Sequence, residues 1–489
     1  MPAGFTAADF YYILPEIALT VGALAVLVVD LVFKKRDDLT LPVTLVTLVA
    51  TAGLLATFVG VDTTASRGLL AIDGFSTFFK FIFLVTAFVT VLMSPSYLKV
   101  EGVRSGEYYF LILCATLGMM FMASGVDLIT LFIGLETMAV SFYILAGFLK
   151  PNQRSNEASV KYYLLGAFST GVLLYGMSLL YAVSGSTNLA EISSSLGGSE
   201  SSGLVSLALI LFAAGMAFKI AAVPFHMWAP DVYEGAPTPV TAYLSVGSKA
   251  AAFAMLLRVL VEGLPALVND WQVMFAWLAV LTMTVGNIAA ITQSNTKRML
   301  AYSSIAHSGY VLLGIVAGTS RGWTAAMVYL AVYVFMQLGA FAIVTMMRRH
   351  DVVGDELKDL SGLYFRSPLA AIAMLVFMLS LGGIPPTAGF MGKFWIFSAV
   401  IDQGFVTLAI VGVVNSAISL FYYIRVVVFM WIKEEVSGSD IALGPAMATT
   451  IVITLVASIL FGIYPQPLFE HAQAAAATLG ATASASVLP

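Results

Sequence analysis

Residues 204–220 and 451–463 are long apolar runs, and stretches like them recur along the whole chain. Such surface is disfavoured in water. In lipid it is not, but there every backbone N–H and C=O must be bonded internally, which leaves only helices or closed barrels. A spanning helix takes ~20 apolar residues, whereas a barrel strand takes ~10 alternating ones. The runs here are continuous, so the fold class is an all-α polytopic membrane protein. Composition agrees: 60% of residues are hydrophobic and 10% charged, against about 45–50% and about 25% in a soluble domain. At ~21 residues per span plus short loops, the chain has room for about fourteen transmembrane helices.

Spans are expected near 11–33, 40–60, 75–97, 107–124, 127–148, 158–184, 203–228, 237–262, 270–293, 299–318, 322–347, 366–400, 405–432 and 446–463. The opening MPAGFTAADF lacks the basic stretch of a cleaved signal peptide, so the first apolar run is expected to be kept as a helix. An Ala/Ser-rich tail from about Ala472 to Pro489 is expected to be mobile. Lys and Arg in alternate loops divide unequally. Thirteen (Lys34, Lys35, Arg36, Lys99, Arg104, Lys150, Arg154, Lys297, Arg298, Arg348, Arg349, Lys358 and Lys433) fall on one side, and Arg67 and Arg321 on the other. The bias places the larger set in the cytoplasm and both termini outside.

The single cysteine, Cys114, excludes an internal disulfide and a cysteine-rich cluster. His226, His307, His350 and His471 are scattered, with no HxxxH pair. No nucleotide-binding glycine motif occurs. The chain is therefore expected to carry no metal, redox cofactor or nucleotide. A net charge of -4 gives no reason to expect nucleic acid.

The charges inside the spans are more informative. Lys161 and Arg366 lie at inner helix ends, where long side chains snorkel. Lys80, Arg258 and Arg425 lie nearer helix ends and are read as interfacial anchors. Lys219, Lys249 and Lys393 sit well inside spans, where each carries an insertion cost of ~2.5–3.5 kcal/mol. Glu136 stands alone among the acids, nine residues or ~13 Å of rise past the start of its helix near Asp127. Two spans also contain breakers. AAGMAFKIAAVPFHMWAPD has Pro224 five residues after Lys219, and LSLGGIPPTAGFMGKFWIF places two glycines and two prolines before Lys393. Proline removes an amide donor, a defect tolerated in a membrane only against protein or a water-filled cavity. Paired broken helices mark ion sites in transporters built from inverted repeats. The offset of 161 residues between Pro224 and Pro385 relates spans four to eight with spans nine to thirteen. This divides the chain into 1–106 (three helices), 107–262 (first five-helix repeat), 270–432 (second, inverted repeat) and 446–489 (last helix and tail).

Burial lowers a lysine's proton affinity and a nearby carboxylate restores it, so a lysine beside a glutamate is a tunable proton site. A row of such lysines linked by hydroxyls and water is a proton relay. Candidate linkers are Ser245, Ser248, Thr282, Asn287, Ser303, Ser304, His307, Gln337, Asn415 and Ser419. His307 leads them because it titrates near neutral pH. The competing readings are static ion pairing for the lysines and helix–helix hydrogen bonds for the linkers.

The segment KIAAVPFHMWAPDVYEGAPTPVTAYLSVGSKAAAF (219–253) resembles the hallmark sequence of the antiporter-like membrane subunits of respiratory complex I, the proton-translocating NADH:quinone oxidoreductase. Its PDVYEGAPTPVTA wording is similar to the subunit N branch, the counterpart of mitochondrial subunit 2, rather than to the L or M branches. LFIGLETMAVSFYIL, EASVKYYLLGAFSTG and GGIPPTAGFMGKFWIF agree, and the resemblance spans essentially the whole chain. The chain ends soon after span fourteen, without the long lateral helix of the L branch. The resemblance implies that Glu136 modulates Lys219 of broken helix seven, that Lys249 of helix eight is the central relay, and that Lys393 of broken helix twelve releases protons outward. Lys161 matches a further family lysine near the neighbouring subunit. A lysine at 393, where the M branch has a glutamate, also argues against M.

The same resemblance implies a bacterial inner-membrane protein packed against M-type and small K- and J-type subunits and lipid. Quinone, NADH, FMN and iron–sulfur clusters would belong to other subunits. Charge changes driven by redox chemistry elsewhere would separate Glu136 from Lys219 and send its proton through Lys249 to Lys393. Two alternatives stay open: a subunit of a multisubunit sodium/proton antiporter, and a structural spacer that pumps nothing.

Overall fold

The computed structural model describes residues 7–33, 39–197, 203–348, 354–433 and 444–480. Lys34, Lys35, Arg36 and Arg349, used above for orientation, and the end of the tail lie outside the described residues. The helices that matter here are α1 (Leu14–Val32), α2 (Thr40–Ala56), α3 (Gly74–Glu101), α4 (Gly106–Ser124), α5 (Leu128–Ala146) and α6 (Gln153–Ser184). They continue as α7 (Gly203–Lys219), α8 (Trp228–Gly235), α9 (Thr238–Gly263), α10 (Val268–Ile291), α11 (Thr296–Val316) and α12 (Ser320–Met347). The last are α13 (Pro368–Gly382), α14 (Ala388–Asp402), α15 (Val406–Trp431), α16 (Pro445–Ile463) and α17 (Gln466–Thr478).

Among the described residues, 11 helices are long and apolar enough to cross a bilayer. Three shorter apolar helices, α2, α7 and α13, occupy further expected positions. Start signals are local: Asp127 accepts from the Ile129 and Thr130 amides at the head of α5, and Asn152 does the same for α6. The expected seventh and twelfth spans are each divided, α7 from α8 and α13 from α14, at the proline-bearing segments. Val223–Pro224 and Pro385–Pro386 are both cis. One short antiparallel hairpin, β1 (Thr63–Ala65) with β2 (Leu70–Ile72), stands in the loop before α3.

Burial sorts the helices. α9, α11 and α12 are 94% buried over their apolar windows, against 33% for α1, α15 and α16. The outer helices turn Val21, Leu24, Val28, Val413, Val414, Val452 and Val456 outward. Lipid is as apolar as these side chains, so close packing rather than the hydrophobic effect holds the bundle together. α4 meets α5 through Gly118 and Gly134, and α10 meets α11 through Gly286 and Gly309. At Gly118 and Gly286 a Cβ would lie 2.5 Å and 2.8 Å from backbone nitrogen of the facing helix.

Three expectations need correcting. Lys80 and Arg258 are not interfacial anchors. Lys80 is 2% exposed and pairs with Glu16 at 2.7 Å. Arg258 is fully buried, donating to both Asp73 oxygens at 3.0 Å, to Glu262 at 2.8 Å and to the Ala123 carbonyl at 3.0 Å. A fully engaged guanidinium is the form in which a buried charge is tolerable. Glu136 is accordingly not the sole acid to reckon with, since Glu16, Asp73 and Glu262 are also buried. Nor is the tail mobile from Ala472 onward. Through Thr478 it is α17, with Ala472, Ala475 and Ala476 buried, and the Thr478 hydroxyl accepts from the Phe75 amide at 3.1 Å. Small alanines fit a tight interhelix contact, so a composition that looks disordered is here a packing face.

Candidate functional site: a row of buried lysines

Lys219 is the last residue of α7 and only 4% exposed. Its ammonium has no hydrogen-bond partner among the described residues. Glu136 is the acid whose charge acts on it. That carboxylate is half-buried on α5 and accepts from the Thr170 hydroxyl of α6 at 2.9 Å. The segment after Lys219 leaves helical geometry with Ala221 at φ +56°, a left-handed conformation unusual for a residue with a Cβ. Three bonds hold the break in place. Trp228 donates to the Phe218 carbonyl at 3.0 Å, the Val223 amide donates to Thr282 at 3.0 Å, and Ser308 donates to the Ile220 carbonyl at 2.8 Å.

Ser308 carries the polar seam onward, since it also lies 3.2 Å from the Ser304 carbonyl. Lys249, 2% exposed, donates to that carbonyl and to the Ser304 hydroxyl, both at 2.7 Å. Immediately before Lys249, α9 widens into a π turn over Leu244–Ser248. Such bulges re-aim side chains and recur at functional sites.

One turn beyond Ser304, His307 contacts the Tyr329 hydroxyl through Nδ1 at 2.5 Å and the Tyr423 hydroxyl through Nε2 at 2.9 Å. Tyr423 in turn bonds Ser303. Its neighbour Tyr422 donates to Asn287 at 2.9 Å, and Asn287 donates to Tyr310 at 3.2 Å and to Asn415 at 3.4 Å. The Tyr310 ring lies 4.7 Å from the Lys393 ammonium, a cation–π contact. Lys393, 4% exposed, donates to the Leu381 and Gly382 carbonyls at 3.0 and 3.2 Å and to Ser416 at 2.8 Å. It thus caps the C-terminal end of α13, where the helix dipole favours a cation. A groove of about 580 Å³ runs from Lys393 past Ser398 to Asp402, which is paired with Arg321.

Lys161 stands apart from this row. It shares a charged pocket of about 240 Å³ with Arg154, Glu157, Asp231, Glu234 and Arg298. Asp231 on α8 accepts from Lys161 at 2.8 Å and from Arg298 at 2.7 Å. Burial alone would raise its carboxyl, but these two cations hold it below its ordinary range.

Of the expected linkers, Thr282, Asn287, Ser303, Ser304, His307 and Asn415 join helices. Among the described residues, Ser245, Ser248 and Ser419 bond only to carbonyls of their own helices, and neither end of the Gln337 amide has a partner. Ser308, Ser416 and the tyrosines 310, 329, 422 and 423 join the seam without being among the expected linkers. Tyrosine counts as apolar in a hydropathy reading, although its hydroxyl needs a partner once buried. The available signal was helical spacing, as in Tyr329, Tyr333 and Gln337 at four-residue intervals.

The model of a family described as NADH:quinone oxidoreductase/Mrp antiporter, transmembrane, matches residues 125–419. NADH-quinone oxidoreductase subunit N 2 of Solibacter usitatus is 46% identical over 481 residues, covering 96% of this chain and 98% of the relative. A chain of respiratory complex I from Thermus thermophilus superposes with a TM-score of 0.79 at 34% identity, covering 93% of this chain and 98% of that one. A chain of the Mrp complex from Dietzia superposes with a TM-score of 0.85 at 22% identity, over 98% of this chain and 99% of that one. The last comparison speaks to the fold alone.

Proposed function

Since the chain belongs to the membrane family of NADH:quinone oxidoreductases and Mrp antiporters, and within it to the subunit N group, we propose that it is a proton-translocating subunit of the membrane arm of complex I. The observation that carries this reading is the polar seam from the break after Lys219, through Ser308 and Ser304, to Lys249, His307 and the tyrosines beside Lys393. Three lysines buried in an apolar bundle lie along it, and each would be a liability if it served only packing. Under this reading the chain crosses a bacterial inner membrane fourteen times, with both termini outside and with α4–α9 and α10–α15 as inverted repeats. M-type and small K- and J-type subunits would flank it. Quinone, NADH, FMN and iron–sulfur clusters would act in other subunits of the complex.

In the mechanism, Lys219 holds its proton while Glu136 is near. Lys219 has no hydrogen-bond partner among the described residues, so moving Glu136 away from it removes most of what favours the ammonium. The proton then passes along the seam to Lys249. Lys249 and Lys393 exchange charge through His307, Tyr423 and the Asn287–Tyr310 pair. Lys393 discharges into the groove toward Asp402. The lysines interact, so their titration belongs to the array rather than to single sites.

The deciding experiment uses the assembled complex in proteoliposomes. Lys219→Ala and Lys249→Ala should lower protons moved per electron while quinone reduction continues, and Lys393→Glu should keep partial function. Wild-type stoichiometry in Lys219→Ala would sink the relay. A loss of assembly alone from all four charge substitutions would instead point to a spacer. Sodium uptake that tracks electron flow would point to an antiporter.

A further inference from the structure

Many hydroxyls in the bundle turn back on their own helix. Thr116, Thr137, Ser141 and Thr345 each donate to the carbonyl four residues earlier at 2.8 Å, the usual local bond of a helical serine or threonine. Thr170 of α6 departs from it. Its single donor goes across to the Glu136 carboxylate of α5 at 2.9 Å, while Lys219 is left without a hydrogen bond among the described residues. A lone hydroxyl is a weak rival for an ammonium, because a bond between two ionised groups is the stronger one. Holding Glu136 on α6 therefore calls for reinforcement of Thr170.

Tyr143 is placed to supply it. It lies on α5 two turns after Glu136 and is 6% exposed. Its hydroxyl closes no hydrogen bond among the described residues, yet it stands within interaction range of both Thr170 and Glu136. Gly166, one turn before Thr170, makes the room, since a Cβ there would lie 2.2 Å from the Tyr143 hydroxyl oxygen. The residue is fixed on two sides. Ser159 of α6 donates to the Tyr143 carbonyl at 2.7 Å, and the Tyr143 ring meets that of Tyr162 edge-on at 4.7 Å. Tyr162 in turn stacks on Trp228 at 4.6 Å, and Trp228 holds the Phe218 carbonyl next to Lys219. Tyr143 is thus tied both to the cradle of Glu136 and to the break that carries Lys219.

We propose that Tyr143 is a positioning residue for Glu136. Its hydroxyl donates to Thr170 Oγ1, turns the Thr170 proton toward the carboxylate, and so holds Glu136 on α6 against the pull of Lys219. Hydrogen bonds in a chain polarise one another, so a threonine oxygen that accepts one bond donates the next more strongly. Without the phenol, Thr170 turns back to the Gly166 carbonyl, Glu136 closes on Lys219, and the ammonium keeps its proton. The proposal rests on the reading of Glu136 as the group that modulates Lys219.

The test is proton-to-electron stoichiometry of the assembled complex in proteoliposomes, measured in two backgrounds. Tyr143→Phe keeps the ring and should lower the stoichiometry as far as Lys219→Ala does. Gly166→Ala, which displaces the hydroxyl and leaves Tyr143 in place, should do the same. In a Glu136→Gln background Tyr143→Phe should add nothing, because the phenol acts only through the carboxylate. Tyr108→Phe, which also removes a buried hydroxyl, one bonded to Ser94, should stay at wild type. Wild-type stoichiometry in Tyr143→Phe overturns the proposal and leaves the relay intact. An equal further loss in the Glu136→Gln background overturns it too, since that is the mark of a packing role. A silent Glu136→Gln would defeat the switch itself, and the proposal with it. Should Tyr143→Phe fail to assemble, a high-resolution experimental map of the wild-type complex decides. A Tyr143 hydroxyl within about 3.0 Å of Thr170 Oγ1 is the expected result, and a phenol bonded elsewhere overturns it.

Discussion

The two broken helices carry the same kind of residue in opposite circumstances. At the first break Lys219 ends its own half-helix and has no hydrogen-bond partner among the described residues. At the second, Lys393 reaches back from α14 to cap α13 with two hydrogen bonds, donates a third to Ser416 of α15 and lies against the Tyr310 ring. The chain also turns differently. α13 closes on Gly383 at φ +82°, and a Cβ there would stand 2.9 Å from the Lys393 side chain. The first break instead puts Ala221, which has a Cβ, into a left-handed conformation at φ +56°. A lysine without fixed partners can answer to a moving carboxylate, whereas one tied to backbone carbonyls gives a defined end point. The difference suits a switch at one end of a relay and a terminus at the other.

The severest way to break the contrast is to disturb the packing of the second turn. A Cβ on Gly389 would lie 1.9 Å from the Ser380 carbonyl oxygen. Gly389→Val should therefore cost about 3 kcal/mol or more and leave no assembled complex on native gels. The lysines themselves come next. Lys393→Met removes the donor to the Leu381 carbonyl, at about 1–3 kcal/mol, while the Gly382 carbonyl keeps the Ser416 hydroxyl. It should lower the thermal inactivation midpoint by several degrees. Lys219→Met removes a buried charge that bonds nothing, so the midpoint should hold or rise while pumping falls. Equal midpoint shifts in the two variants would show that the breaks are not different in kind.

A smaller effect concerns the turns. Gly383→Ala places a side chain in left-handed geometry and should cost about 1–2 kcal/mol. Ala221→Gly relieves the same strain, partly offset by the freer unfolded chain, for a net gain under about 1 kcal/mol. Midpoints moving in opposite directions would sharpen the comparison. Smallest is the charge tie on α8. Because Lys161 and Arg298 hold the Asp231 carboxyl low, its contribution is complete above the ordinary carboxylate value of about 3.9. It is lost as pH falls through the lowered folded value. Wild type and Asp231→Asn should differ in midpoint near neutral pH and converge in acid, by a modest amount since this pair is partly exposed.

Much of this was legible from one dimension. Apolar run length fixed lipid as the solvent and helix as the structure, because both depend on local backbone bonding. Proline and glycine next to Lys219 and Lys393 marked the breaks, and the low charge count made the three lysines and Glu136 stand out. What the sequence could not assign was partnership. Lys80 and Arg258 looked like surface anchors, yet the Arg258 guanidinium is held by Asp73, 185 residues away. Lys249 finds Ser304 across 55 residues. Which hydroxyl turns inward to a lysine and which folds back on its own helix depends on how helices distant in the chain are brought together. Side-chain type and spacing report the solvent a residue prefers. The group that satisfies it is chosen only when the bundle closes.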